Sequence, residues 1–353
     1  MARIKLSLQD FIVDEIPNEP NSTSGPYALC ILKKTNYTSE RAVDHLARHL
    51  HIPRKKISYA GTKDKYAQTS QYITIKDISQ EQIEKVELKD LEVVFVQRVA
   101  KPLHLGDLQG NRFTIVLRNL VSKEELFKPL TKDFFVPNYF DEQRFSNNNV
   151  EVGLAFIHKQ YSEAVELLST DDDSEKLLTP YLETHLNDYV GALRQLPKKT
   201  LLFFIHAVQS KWFNDELAHN ITLFAKEKSV EDSLLQVAYS QGNFIFSSNQ
   251  ELFSSLGESL SLLGFSSSPN EFEQNMLGKE HIALQDFVNR PFPFLSVEGT
   301  SRETCFQVTD FAITDLELDK ENENYFCTVS FTLPKGCYAT MVIRQLVSSL
   351  ETS

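Results

Sequence analysis

Two kinds of hydrophobic pattern alternate along the chain, and their order gives the first outline of a fold. Residues 10–16, 27–33, 71–75 and 113–118 carry the short apolar and alternating runs of strands, and 86–96 is a further strand-rich region. Between the second and third of these, Thr38 or Ser39 can cap a helix in which Val43, Leu46, Ala47 and Leu50 recur at helical spacing, and Pro53 ends it. Residues 105–112, with Gly106 and Gly110, read as a polar connection into the 113–118 strand. From Val150 the pattern changes to long helical periodicity, including a helix through Ser210 to Leu217 whose lone Trp212 is expected in a core. Strand alternation returns at 325–333. Pro334-Lys335-Gly336 then make a turn, and a helix over 338–350 sets Ile343, Leu346, Val347 and Leu350 on one face. The pattern predicts an α+β class with a mixed, largely antiparallel sheet and flanking helices. A helix-rich α/β insertion domain, residues 150–298, interrupts a first domain made of 1–149 and 299–353.

Composition narrows this outline. The chain has 353 residues, with no apolar run as long as a membrane span and no apolar signal core after Met1. Cys30, Cys305, Cys327 and Cys337 are scattered without metal-ligand spacing, so a cytoplasmic protein with reduced thiols and no metal is expected. The net charge of −12 argues against a nucleic-acid binder until its distribution is read. Residues 33–65 hold nine Lys/Arg against three Asp/Glu, whereas 150–297 hold ten against twenty. The acidity is local, and a polyanion can bind one face while the middle domain stays acidic.

The chemistry converges on one stretch. Gly61-Thr62-Lys63-Asp64-Lys65 sets a carboxylate between two lysines on a loop leading into a strand, where a rigid scaffold can aim it. It also fits an ordinary surface turn. No phosphate-binding loop, dinucleotide fingerprint, zinc pattern or nucleophile elbow accompanies it, which leaves a carboxylate working without metal or cofactor. Residues 133–149 interleave aromatic rings with Asn, Gln and Arg; such a set suits a flipped base, and equally an aromatic hinge between domains.

The stretch Gly61, Lys63, Asp64, Lys65, Ala67, Thr69, Gln71 resembles the signature of the TruD family of tRNA pseudouridine synthases, and four further motifs agree in order. These are Asp10-Phe11-Ile12-Val13, Gly106 to Phe113, Pro137 to Phe145, and Leu333-Pro334-Lys335-Gly336 with Tyr338-Ala339-Thr340. Asp141 and Ser146 stand where the family usually has glycine, and the middle domain matches best at Trp212-Phe213-Asn214 and Arg302. The resemblance implies a pseudouridine-synthase-like fold and cofactor-free isomerisation of uridine, usually at position 13, in tRNA. Asp64 is the implied catalytic carboxylate, acting either as nucleophile or as base toward a sugar proton. Lys5 is its implied charge partner, Phe11 packs against the pocket, Phe140 stacks on the uracil, and Asn138 binds it or holds the loop. Arg54, Lys55, Lys56, Lys63, Lys65 and Arg144 are the implied phosphate contacts. The resemblance leans to a monomer. An RNA-binding or RNA-folding module of the same fold that has lost catalysis is the alternative; a glycosidase lacks a clear second acid.

Overall fold

The computed structural model describes residues 2–19, 22–120, 132–146, 148–319, 324–347 and 350–352. They form two compact units, 1–135 with 306–353 and 136–305, so the 137–145 motif and Arg302 both belong to the second unit. In chain order the first unit opens with β1 (Ala2–Ile4), β2 (Phe11–Pro17), β3 (Tyr27–Thr35), α1 (Ser39–His49), β4 (Ile57–Tyr59) and β5 (Gln68–Lys76). After these come α2 (Gln80–Glu84), β6 (Leu91–Val99) and β7 (Leu108–Leu120), and β8 (Phe134–Pro137) leads out of the unit. The second unit holds α3 (Asn149–Ile157), α4 (Tyr161–Leu168), α5 (Asp172–Thr184), α6 (Tyr189–Leu193) and α7 (Lys198–Glu227). It continues through β9 (Leu234–Tyr239), β10 (Gly242–Ser247), α8 (Gln250–Phe253), β11 (Ser259–Leu262), α9 (Glu271–Lys279) and β12 (Thr300–Glu303). The chain returns along β13 (Cys305–Ile313), β14 (Glu317–Asp319), β15 (Asn324–Pro334), α10 (Ala339–Leu346) and β16 (Leu350–Thr352).

One sheet organises the first unit, in the order β6-β3-β5-β2-β7-β15-β13. Its pairs are antiparallel except β2 with β5 and, at one side, β1 with β16. Ala28, Cys30 and Leu32 on alternate positions of β3 pack against Ala42, Val43, Leu46 and Ala47 of α1, all buried. The spacing of those four residues puts them on one stripe, and Thr38 Oγ1 caps the helix by accepting from Arg41 N. In the parallel pair Ile12 lies opposite Gln68. That register brings the loop that enters β5 beside the start of β2, where Phe11 stands.

Two local readings of the sequence are corrected. The polar stretch expected as a connection is strand from Leu108 onward, because β2 and β15 both pair with it: Gly110 lies opposite Ile16 on one side and Pro334 on the other. A Cβ on Gly110 would lie 2.1 Å from the Leu333 carbonyl oxygen, so this crossing requires glycine. The closing helix spans Ala339–Leu346, and Val347 already has extended φ and ψ; residues 348 and 349 of the expected helix lie outside the described residues.

The second unit is helix-rich and packs on α7. Trp212 is buried in its core, edge-on to Phe287, and Phe156 of α3 meets Phe204 of α7 and Phe292. β9 and β10 form a hairpin. No described helix is long and apolar enough to cross a membrane.

Candidate active site

In the first unit, Asp64 sits on a segment without regular structure between β4 and β5, and neighbouring elements bond it at successive residues. Gln71 Nε2 donates to the Gly61 carbonyl at 3.2 Å, and Lys63 N donates to Ser39 Oγ at 2.9 Å. Ser39 Oγ in turn donates to Gln71 Oε1 at 2.6 Å, so β5 and the first turn of α1 hold the loop through one shared network. Lys63 Nζ donates to Glu15 Oε2 of β2, and Glu15 Oε1 accepts from Tyr72 N at 3.0 Å. A Cβ on Gly61 would lie 3.1 Å from Lys63 Nζ and 3.5 Å from Glu15 Oε2, so the bare glycine leaves room for this ion pair.

Two lysines hold Asp64 itself. Lys5 Nζ donates to Asp64 Oδ2 at 2.9 Å, and Lys34 Nζ donates to the Asp64 carbonyl at 2.7 Å and to the Tyr37 carbonyl. The carboxylate side chain is 58 % exposed while that of Lys5 is only 8 % exposed. The acid therefore faces solvent with its counter-charge behind it. Lys5 leaves β1 with φ at 62°, a left-handed conformation that a non-glycine residue adopts at a cost of about 1 kcal/mol. Its ammonium also lies 4.3 Å from the centroid of the Phe11 ring, which is buried edge-on to Phe113. Lys5, Phe11 and Asp64 thus form one cluster.

In the second unit, Asn138, Phe140 and Arg144 form another. Asn214 of α7 bonds both backbone groups of Phe140: its Oδ1 accepts from Phe140 N and its Nδ2 donates to Phe140 O, each at 2.9 Å. Phe213, next to it on the helix, meets the Phe140 ring edge-on at 5.5 Å. Arg302 Nε donates to Asn138 O at 2.9 Å, and its Nη2 donates to Asn138 Oδ1. The same guanidinium lies 4.2 Å from the Phe140 ring centroid, and that of Arg144 lies between Phe140 and Phe203. Phe140 is only 7 % exposed. Tyr139 is buried against Phe244 and Phe246 of β10, and its hydroxyl donates to Ile245 O. Asp141 and Ser146 have extended and polyproline-like backbones (φ −74° and −57°), so glycine is not needed at either; Asp141 caps the short turn that follows by accepting from Glu142 N.

The basic residues divide. Lys63 is not a phosphate contact in this arrangement: its ammonium is buried against Glu15. Arg54 is paired with Glu40 and Asp44 and donates to Ile57 O, and Lys56 is paired with Asp77, so both are largely neutralised. Lys55 and Lys65 are exposed, Lys65 beside the exposed Tyr66 ring. Among the described residues no group of three or more His, Cys, Asp or Glu is placed to hold a metal ion.

Sequence reasoning missed Lys34 altogether, and it noted Asn214 and Arg302 only as points of family match, with no role given to either. For Lys34 a signal existed: it follows Ala28, Cys30 and Leu32 on the buried parity of β3, where a lysine is out of place unless something inside bonds it.

Known proteins share this arrangement of sequence. The family model described as tRNA pseudouridine synthase D (TruD) matches residues 1–176 and 166–346. Proteins named probable tRNA pseudouridine synthase D are 30 % identical in Methanosarcina acetivorans, over 97 % of this chain and 92 % of that one, and 29 % identical in Thermococcus onnurineus, over 98 % and 94 %. The crystal structure of the putative tRNA pseudouridine synthase D from Methanosarcina mazei superposes with a TM-score of 0.70 at 27 % identity, covering 98 % of this chain and 93 % of that one. With a match that runs from the first strand to the last helix, the chain belongs to the TruD family of tRNA pseudouridine synthases.

Proposed function

We propose that this protein isomerises uridine to pseudouridine in tRNA, at position 13, with Asp64 as the essential carboxylate and no cofactor. The N1–C1′ bond of the uridine breaks, the base turns, C5 bonds to C1′, and the hydrogen on C5 leaves as a proton. Asp64 acts on the sugar side of this exchange. Asn138 and Phe140 carry the uracil contacts that the family pattern implies, while Lys55, Lys65 and Arg144 take phosphates. The protein works as a cytoplasmic monomer.

One observation carries the reading: a solvent-facing carboxylate, backed at 2.9 Å by a buried ammonium, on a loop fixed by three neighbouring elements. Pre-positioning of this kind is what a reacting group needs and a surface turn does not. The test is release of tritium from tRNA labelled at uridine C5. Release by the wild type and none by Asp64→Ala is expected. Equal release by both removes Asp64 from the role, and RNA binding without release by the wild type selects the non-catalytic module.

A further inference from the structure

Lys34 is the least expected charge in the first unit. It is 2 % exposed, on the buried side of β3, and its ammonium bonds two backbone carbonyls, Tyr37 O and Asp64 O, and no carboxylate among the described residues. A carbonyl inside a loop can be satisfied by a neutral donor or by water at far less cost than a buried cation. Around Lys34, Asp64 and Lys63 lie on the loop, Tyr37 lies in the turn before α1, Thr69 and Leu91 lie across from it on β5 and β6, and Asp14, Lys33, Asp90 and Glu92 line the same cleft as Lys34. The carboxylate that favours its charged form is that of Asp64, and Lys63 is already committed to Glu15. The position of this cation is therefore tied to the backbones of Tyr37 and Asp64, the second being the residue whose side chain Lys5 holds from the other end.

We propose that Lys34 is a positioning residue for the reaction. Its protonated ammonium fixes the backbone of Asp64, so the carboxylate keeps its working place only while Lys34 carries its proton. The inference rests on the reading of Asp64 as the essential carboxylate. A charge-assisted bond to a carbonyl is roughly twice as strong as a neutral one, so loss of the proton loosens the hold without removing the side chain. Burial brings the Lys34 ammonium down to about 8, with Lys63 adding to the fall and Asp64 opposing it. The switch then falls at mildly alkaline pH.

The experiment measures kcat and KM for tritium release from C5-labelled tRNA between pH 6 and 9.5, for wild type, Lys34→Met and Lys34→Arg. Urea melts confirm which variants are folded. The wild type is expected to lose kcat on an alkaline limb near pH 8. Lys34→Met is expected to show kcat lower by about 10- to 100-fold, the scale of a misplaced reacting group, with KM within twofold because the Lys34 side chain is buried. Its alkaline limb disappears. A folded Lys34→Arg keeps the charge throughout and is expected to hold its kcat to higher pH than the wild type. The proposal is overturned if folded Lys34→Met keeps wild-type kcat, retains the same alkaline limb, or changes KM alone. If Lys34→Met is unfolded, the wild-type and Lys34→Arg profiles decide: coincident limbs overturn it. Activity in Asp64→Ala would instead overturn the assignment of Asp64, so the two failures are distinct.

Discussion

Replacing Lys63 by methionine separates two roles that its place beside Asp64 suggests. The side chains of Lys63 and Glu15 are 5 % and 0 % exposed, so removal of the ammonium leaves a carboxylate buried with one oxygen unpaired, while the other still accepts from Tyr72 N. Breaking a buried pair by removing one partner costs about 3–5 kcal/mol. For a folding unit of this size each kcal/mol moves Tm by about 2–4 °C, so Lys63→Met should melt about 6–20 °C below the wild type. Glu15→Gln in the same chain removes the stranded charge yet keeps an acceptor for Tyr72 N, and the double variant should recover at least half the loss. The assays are urea and thermal melts followed by circular dichroism, with RNA affinity measured across salt. A surface phosphate contact behaves in the opposite way: stability stays put and the salt slope of RNA binding falls by about one. That pattern, or a melting change below about 1 kcal/mol, would refute the buried latch.

Two further outcomes follow from other buried polar groups. Lys34 has its pKa lowered to about 8 from an ordinary 10.5, so between those values the unfolded chain binds a proton that the folded one does not; stability rises with pH across this window, by up to about 3 kcal/mol. Urea midpoints taken from pH 7 to 10.5 should show that rise in the wild type relative to Lys34→Met, opposite in direction to the fall in activity; a parallel pair of curves counts against it. Asn214→Ala strands both backbone groups of the buried Phe140 and should cost about 2–4 kcal/mol in a thermal melt, and a change under 0.5 kcal/mol would mean that water or a neighbour replaces the amide.

Local pattern made β2, β3, α1, β5 and β15 legible, because each shows its buried side as a period of two or of 3.6 within a dozen residues. The cluster of Lys5, Phe11 and Asp64 was legible through family motifs alone, since nothing in residues 5–11 announces a contact with residue 64. The basic run misled where charge was read as exposure: Lys63 differs from Lys65 only in that a glutamate 48 residues earlier, on β2, faces it. Polar composition hid the first turn of β7, whose Gln109, Gly110 and Asn111 are held as strand by partners on both sides. The roles of Asn214 and Arg302, visible only as points of family match, stayed hidden because their work is done on the backbone and side chain of residues 138 and 140, at separations that no window spans.

The place of β15 in the sheet has a consequence for how the protein is made. β7 pairs with β15 from Gly110 opposite Pro334 to Leu120 opposite Tyr325, and β13 lies beyond it. The second unit is continuous in the chain and leaves the ribosome whole, whereas the first must wait for an interior strand encoded after it. At about 5–20 residues per second the roughly 200 intervening residues take on the order of 10–40 s. During that interval β7 is an open edge, the kind of strand that recruits other chains. Its start, Gln109 to Arg112, is polar, but Phe113 to Leu117 leave an apolar stretch of that edge uncovered until its partner is synthesised.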